Sequence, residues 1–247
     1  MRFLYESITS SGGRPYNEDS VHAQAVGKGL LAIVADGLGS HGGGDIASAL
    51  AVHELCEYWR QNDAVTRETL LAGFGLANQA VLAAQTPGRG MRTTAVLLLC
   101  NETEAAVAHI GDSRCYHFAG GHVAFQTTDH SVSQLAVDLG EITPAQIRFH
   151  EDRNRLYRAL GNERPPGKKG AEVKFLHDLK DGDAFLLCSD GFWEYVEDDE
   201  MEADLQGAES PRAWVTSMLA RIGARVDGAN DNLSAIGVIL RDGPREA

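Results

Sequence analysis

Aspartate recurs at the ends of apolar runs in this chain. Asp36 closes LLAIVA and is followed by Gly37, and Asp190 closes AFLLCS and is followed by Gly191. Asp112 follows a run in HIGDSR, and Asp231 stands in ANDN just before the last run. Glu18 and Asp19 end the turn-like RPYNED ahead of a further run. A carboxylate at a strand end is anchored by the sheet yet faces a wet cleft, and several converging there offer the hard oxygen ligands that Mg²⁺ and Mn²⁺ prefer. Two such ions close together can share a water, lower its pKa and clamp a phosphoryl oxygen. Arg14, four residues ahead of Glu18, adds a planar guanidinium able to hold two phosphate oxygens at once. A single Asp-Gly at a strand end reads as a turn. Repeated around several buried-type runs, acidic ends point to one shared site for phosphoester hydrolysis.

The elements that must position these groups are legible in outline. Short runs with strand character lie at 2–9, 20–26, 30–35, 93–100, 104–110, 114–118, 121–127, 171–176, 184–188 and 233–240, closed by Gly, Asp or Asn. AGGHV at 119–123 reads as a hairpin turn, its Gly pair supplying positive φ. Helical periodicity is clearest over 44–60 and 66–85, the latter opening on a Thr66 cap, and a further helix is expected over 210–223, where Ser210-Pro211 makes a cap and first-turn pair. Short helices are expected at 131–139, 143–148 and 153–160, and 197–200, EDDE, as a helix start. The segment 161–170 reads as a surface loop. Strands, two consecutive helices, a run of adjacent strands and then helix again is not an alternating βαβ order. It indicates an α+β fold, with antiparallel sheets sandwiched by helices.

Composition narrows the function. The 247 residues carry 22 Lys+Arg against 35 Asp+Glu, a formal net charge of −13, with 43% hydrophobic and 23% charged residues. That is the composition of a globular chain able to bury a core without staples. The acidic balance argues against nucleic acid and anionic membranes as partners, both of which select basic surfaces. Cys56, Cys100, Cys115 and Cys188 form no C-x-x-C pair, and the longest apolar stretches are far too short to span a bilayer. A cytoplasmic protein of a reducing compartment is expected.

In this order, RPYNEDS (14–20), DGLGSHGGGDIAS (36–48), TTAV (93–96), GDSRCY (111–116), TTDHS (127–131), YRALG (157–161), LLCSDGFWEYV (186–196) and DNLSAIGV (231–238) resemble the motifs of the PP2C-type (PPM) metal-dependent protein serine/threonine phosphatases, in their compact bacterial form. The resemblance spans 3–241, which implies one catalytic domain over 1–241 and a polar tail at 242–247. It implies a four-layer sandwich, two stacked antiparallel sheets flanked by pairs of helices. It further implies two Mn²⁺ or Mg²⁺ ions, bridged by Asp36, with Asp190 and Asp231 on the first and the Gly37 carbonyl on the second. Glu18 would reach the second ion through water, with Asp19 supporting the same shell. Asp112 would hold a weaker third ion together with Asp190, Arg14 would take the substrate phosphate, and 131–156 would form a flap beside the site. Water between the two ions would attack phosphorus directly, with no phospho-enzyme. The implied partners are proteins phosphorylated on serine or threonine, among them a Ser/Thr kinase in bacterial signalling, met by a monomer.

Three positions depart from the family pattern. Leu38 stands where eukaryotic members have a histidine after Asp-Gly, and His41 follows three residues later, where a loop-ordering role is expected. Arg92 replaces the usual Gly before Thr-Thr, and Asn232-x-Ser234 replaces Asn-x-Thr. Two other functions share some of these features. GLGSHG (37–42) formally fits a dinucleotide-binding fingerprint, but a second helix follows where a strand and its acidic residue should come. A catalytically weak, phospho-dependent binding protein on the same fold would be expected to lack ligand aspartates, and none is missing.

Overall fold

The computed structural model describes residues 1–27, 29–39, 42–86, 90–163 and 170–243. Twelve strands and six α-helices follow in the order β1 (Arg2–Ser10), β2 (Ser20–Val26), β3 (Gly29–Ala35), β4 (Gly37–Leu38), α1 (Gly44–Gln61), α2 (Arg67–Ala84), β5 (Arg92–Thr93), β6 (Ala95–Cys100), β7 (Glu104–Ile110), β8 (Arg114–Ala119), β9 (His122–Gln126), α3 (Val132–Asp138), β10 (Glu172–His177), β11 (Ala184–Cys188), α4 (Asp190–Trp193), α5 (Asp198–Gln206), α6 (Pro211–Arg225) and β12 (Leu233–Arg241), with a 3₁₀ helix over Pro144–Phe149. One sheet runs β1-β12-β11-β8-β9 and the other β10-β7-β6-β3-β2, with β4 and β5 forming a small ribbon. Every recorded pairing is antiparallel.

The period-2 alternation of each strand builds the layers. In β3, Leu31, Ile33 and Ala35 pack with Leu55, Leu70 and Phe74 under α1 and α2. Leu30, Ala32 and Val34 face the other way, meeting Phe185, Leu187, Ile236 and Val238 of the second sheet. On that sheet's outer face, Tyr116, Phe118, Leu186 and Ile239 pack with Met201, Trp214, Val215 and Met218 of α5 and α6. The order is helix pair, sheet, sheet, helix pair, the expected α+β sandwich. Both faces of each sheet are covered, which is why the strands read as continuous apolar runs.

Local signals act as the sequence indicates. Thr66 and Ser210 cap α2 and α6, accepting from Thr69 N and Ala213 N, and Gly120 and Gly121 take φ of 60° and 84° between β8 and β9. Two expectations are corrected. Segment 153–160 is not helical: Leu156 forms a bridge with Ser131 and Leu160 with Thr93, so distant pairing wins over a helix-like spacing of leucines. The run 93–100 is two strands, broken at Thr94, because that residue's backbone and hydroxyl turn to Asp36. Most of the expected loop at 161–170 and of the tail at 242–247, like His41, lies outside the described residues. Among those described, no helix is long and apolar enough to cross a membrane.

Candidate active site

The acidic strand ends converge at one end of the sandwich. Asp36 leaves β3 with its backbone fixed on all sides. Its N–H donates to Thr94 Oγ1 at 2.9 Å, and its carbonyl accepts from Thr94 N at 2.9 Å and Thr93 Oγ1 at 2.8 Å. Thr94 Oγ1 in turn bonds Ser113 Oγ at 2.6 Å. The Thr-Thr pair and the GDSR turn therefore act as a brace, leaving the Asp36 carboxylate for the cleft.

Gly37 and Gly44 let three backbones meet where a side chain could not fit. A Cβ on Gly37 would stand 2.2 Å from Gly44 O and 2.5 Å from Glu18 O, and one on Gly44 would stand 2.7 Å from Glu18 Oε1. Through this gap Gly37 N donates to Glu18 O at 3.1 Å, and Gly44 N, at the start of α1, donates to Glu18 Oε1 at 3.2 Å. The negative Glu18 side chain thus sits at a helix N-terminus, where the dipole favours it. Asn232 fixes Glu18 from the other side, accepting its N–H at 2.8 Å while donating to Ser11 O and Tyr16 O at 2.9 and 2.8 Å.

Asp19 and Asp190 lie deeper. Asp19 Oδ2 accepts from Ser189 Oγ at 2.8 Å, and Ser189 Oγ accepts from Ser234 N at 3.0 Å. Asp19 Oδ1 and Asp190 Oδ1 are buried with no hydrogen-bond partner among the described residues. Asp112 is buried on the turn between β7 and β8, and its carbonyl accepts from Trp193 Nε1 at 3.0 Å. Asp231 is half-exposed at the mouth. There its two oxygens accept from Arg14 Nε at 3.0 Å and Nη2 at 2.8 Å.

This electrostatic arrangement is unbalanced. Burial, then the mutual repulsion of Asp190, Asp19 and Asp112, pushes the Asp36 carboxyl well above its ordinary range, and burial with Asp190 and Asp129 nearby does the same to Asp112. Burial raises Asp190, with Asp231 adding to it, and burial carries Asp19 up to about 7. Glu18 is raised by burial and by the charge of Asp45. Six carboxylates thus gather here, with Arg14 paired to Asp231 and with Arg114 and Arg153 acting from further off on Asp112 and Asp190. Buried acceptors without donors are costly, and hard cations are the partners that suit them. The orphaned oxygens of Asp19 and Asp190 therefore fit divalent ions. Among the described residues, no three acidic, histidine or cysteine side chains are already gathered as one ion's ligand set.

Sequence reasoning missed several supports. Arg114 and Asp129, inside two of the quoted motifs, form a buried pair at 2.9 and 2.7 Å. The Arg114 guanidinium lies 3.5 Å from the centre of the Trp193 ring. His130 accepts from Gly111 N at Nδ1, at 3.0 Å, and stacks on His109 at 4.8 Å. Glu194, held up at about 7 by burial and by Asp190, pairs with Arg153 at 2.6 Å. Arg148 pairs with Asp198 at 2.6 Å. These last two pairs fasten segment 131–156 beside the cleft. Nothing in local spacing marks them, since the partners lie 41 and 50 residues apart.

A four-layer fold with acidic strand ends gathered at one end defines a class of phosphoester hydrolase. Residues 11–236 match the family described as protein phosphatase 2C. The chain is 32% identical over 214 residues to the serine/threonine phosphatase stp of Listeria welshimeri, covering 83% of this chain and 82% of that one. The crystal structure of the Mycobacterium tuberculosis serine/threonine phosphatase PstP/Ppp superposes with a TM-score of 0.83 at 29% identity, covering 97% of this chain and 99% of that one. The catalytic domain of PstP in complex with two manganese ions superposes with a TM-score of 0.81 at 28% identity over the same shares. The chain belongs to the protein phosphatase 2C family. It is a metal-dependent protein serine/threonine phosphatase of the bacterial kind.

Proposed function

We propose that the site described above hydrolyses phosphoserine and phosphothreonine in proteins by direct attack of water, without a phospho-enzyme, and that it opposes a Ser/Thr kinase in a bacterial signalling pathway. The observation that carries this is the convergence of Asp19, Asp36, Asp112 and Asp190 with two buried carboxylate oxygens unpaired. Asp36, Asp190, Asp231 and the Gly37 carbonyl would hold two Mn²⁺ or Mg²⁺ ions, Glu18 would act through water, and Asp112 with Asp190 would hold a third. When bound, such ions supply a water of lowered pKa and neutralise charge on the phosphoryl oxygens.

The chain's own residues do the rest. Asp231 holds the Arg14 guanidinium plane at the mouth through Nε and Nη2, and Nη1 takes no part in that pair. Arg14 is thus presented to an incoming phosphate by the charge that orients it. Asp19, bonded to Ser189, braces the start of β2 and so the placement of Glu18. A monomer working in the cytoplasm completes the proposal.

Hydrolysis of p-nitrophenyl phosphate and of a phosphothreonine peptide, with Mn²⁺, Mg²⁺ or EDTA, tests it for wild type and Asp190→Asn. Metal-dependent turnover in wild type and its loss in the variant are expected. No turnover with either metal in folded wild type would overturn the catalytic reading. Unchanged turnover in the variant would overturn the role given to Asp190.

A further inference from the structure

Arg92 stands where the family pattern has glycine, and the chemistry derived above gives it no part. It opens β5 and is exposed, and among the described residues its guanidinium forms no ion pair or hydrogen bond. β5 pairs with β4 as Leu38↔Arg92 and Gly37↔Thr93. One step further along, Thr94 N donates to Asp36 O at 2.9 Å, so the register runs from Arg92 straight back to Asp36. Opposed residues of an antiparallel pair share a face, and so do alternate residues along a strand. Arg92, Leu38 and Asp36 therefore lie on one face of the ribbon, while Thr93, fully buried, takes the other. Two residues of strand and one strand spacing put the Cα atoms of Arg92 and Asp36 about 8 Å apart.

The charges around the cleft decide what a cation there can do. Arg14 is tied to Asp231 through two hydrogen bonds. Asp45, exposed in the first turn of α1, adds its negative charge beside Glu18. A carboxylate arriving with the substrate is repelled by such a rim. Arg92 brings an uncommitted guanidinium to the same face, with the planar donor set that suits a carboxylate. In an extended peptide, a residue two or three positions from the phosphorylated one lies about 7–10 Å from it, which matches the separation of Arg92 from Asp36. We propose that Arg92 selects substrates carrying aspartate or glutamate two or three positions from the phosphorylated residue, an inference that rests on the phosphoprotein hydrolysis given above. The glycine of the family pattern offers no such charge. The ribbon itself is joined to β4 by backbone pairing, so the arginine side chain is not needed to hold it.

Phosphothreonine peptides with Glu two or three positions to either side, each against its Gln counterpart, test this with Mn²⁺ present. Wild type should favour the Glu peptide of at least one pair about three-fold in kcat/KM, the scale of an exposed ion pair. The difference should lie in KM and should shrink toward one in about 0.5 M NaCl. Arg92→Gln should remove the preference while acting on the Gln peptides and on p-nitrophenyl phosphate as wild type does, and Arg92→Lys should keep most of it. The part given to Arg92 is overturned if wild type prefers no Glu peptide or if Arg92→Gln keeps the preference. It is overturned equally if that variant loses kcat on every substrate alike, which would make Arg92 a structural part of the ribbon. p-Nitrophenyl phosphate has no flanking residue, so its failure to turn over in wild type would overturn the hydrolytic reading itself, and this inference with it.

Discussion

Asn232 shows how one side chain can govern a site it does not chemically enter. Its amide holds Glu18 N, Ser11 O and Tyr16 O at once, so the segment carrying Arg14 and Glu18 is pinned to the start of β12. Asn232→Ala leaves three backbone groups without their partner. It should lower stability by about 1–3 kcal/mol, measured by urea unfolding, and lower kcat/KM by displacing Glu18 and Arg14. Unchanged turnover would mean that those residues are placed by other contacts. At this scale the sequence exposes the carboxylates, because acidic residues recur at the ends of several apolar runs where any single one would read as a turn. It hides Arg14 on Asp231, 217 residues apart, since no local pattern encodes a pair that only the finished fold brings together.

Between single residues and the fold stand the turns and short helices that brace them. Arg114, Asp129, Trp193 and His130 tie the β7–β8 turn, and with it Asp112, to the segment after β9 and to α4. Removing one partner of a buried pair strands the other charge, so Asp129→Ala should cost about 3–5 kcal/mol, again by urea unfolding. His130 adds a pH dependence. Burial, with His109 and Arg158 nearby, lowers its pKa to about 3, below the ordinary 6.5. The folded state therefore keeps the ring neutral, and its stabilising contribution is complete above about pH 6.5. As pH falls from there toward 3, the unfolded chain takes up the proton first and stability is lost. The stability advantage of wild type over His130→Gln should narrow between pH 7 and pH 4, and an advantage that stayed constant would show that His130 does not titrate this way. The same bracing keeps 153–160 out of a helix. Leu156 and Leu160 are four apart, a helical spacing, yet they bridge to Ser131 and Thr93, and Arg153 is drawn to Glu194.

For the molecule as a whole, six of the 35 Asp and Glu residues meet at one end of the sandwich. A ligand that binds only the folded state stabilises it by mass action. Mn²⁺ added to chelator-treated protein should therefore raise the unfolding temperature, with the increment rising as the logarithm of metal concentration. Asp190→Asn should blunt that rise, by differential scanning fluorimetry. An equal rise in the variant would place the ion elsewhere. Antiparallel sheets sandwiched by helices are legible in the order of the elements, since consecutive helices and adjacent strands replace an alternating βαβ pattern. Strand order is not. Whether β12 lies at an edge or inside its sheet depends on contacts hundreds of residues apart.

That position has a consequence for the timing of synthesis. β12 lies between β1 and β11, and its nine residues pair with β1 from Arg2↔Arg241 to Ser10↔Leu233. β1, at the edge of its sheet, thus has no strand partner there until β12 is made. Arg14, Glu18 and Asp19 emerge before Asp231 and Asn232, so a nascent chain cannot gather the acidic cluster until β12 has cleared the ribosome. A nascent chain that stops short of β12 lacks Asp231 and Asn232 together with the partner of β1.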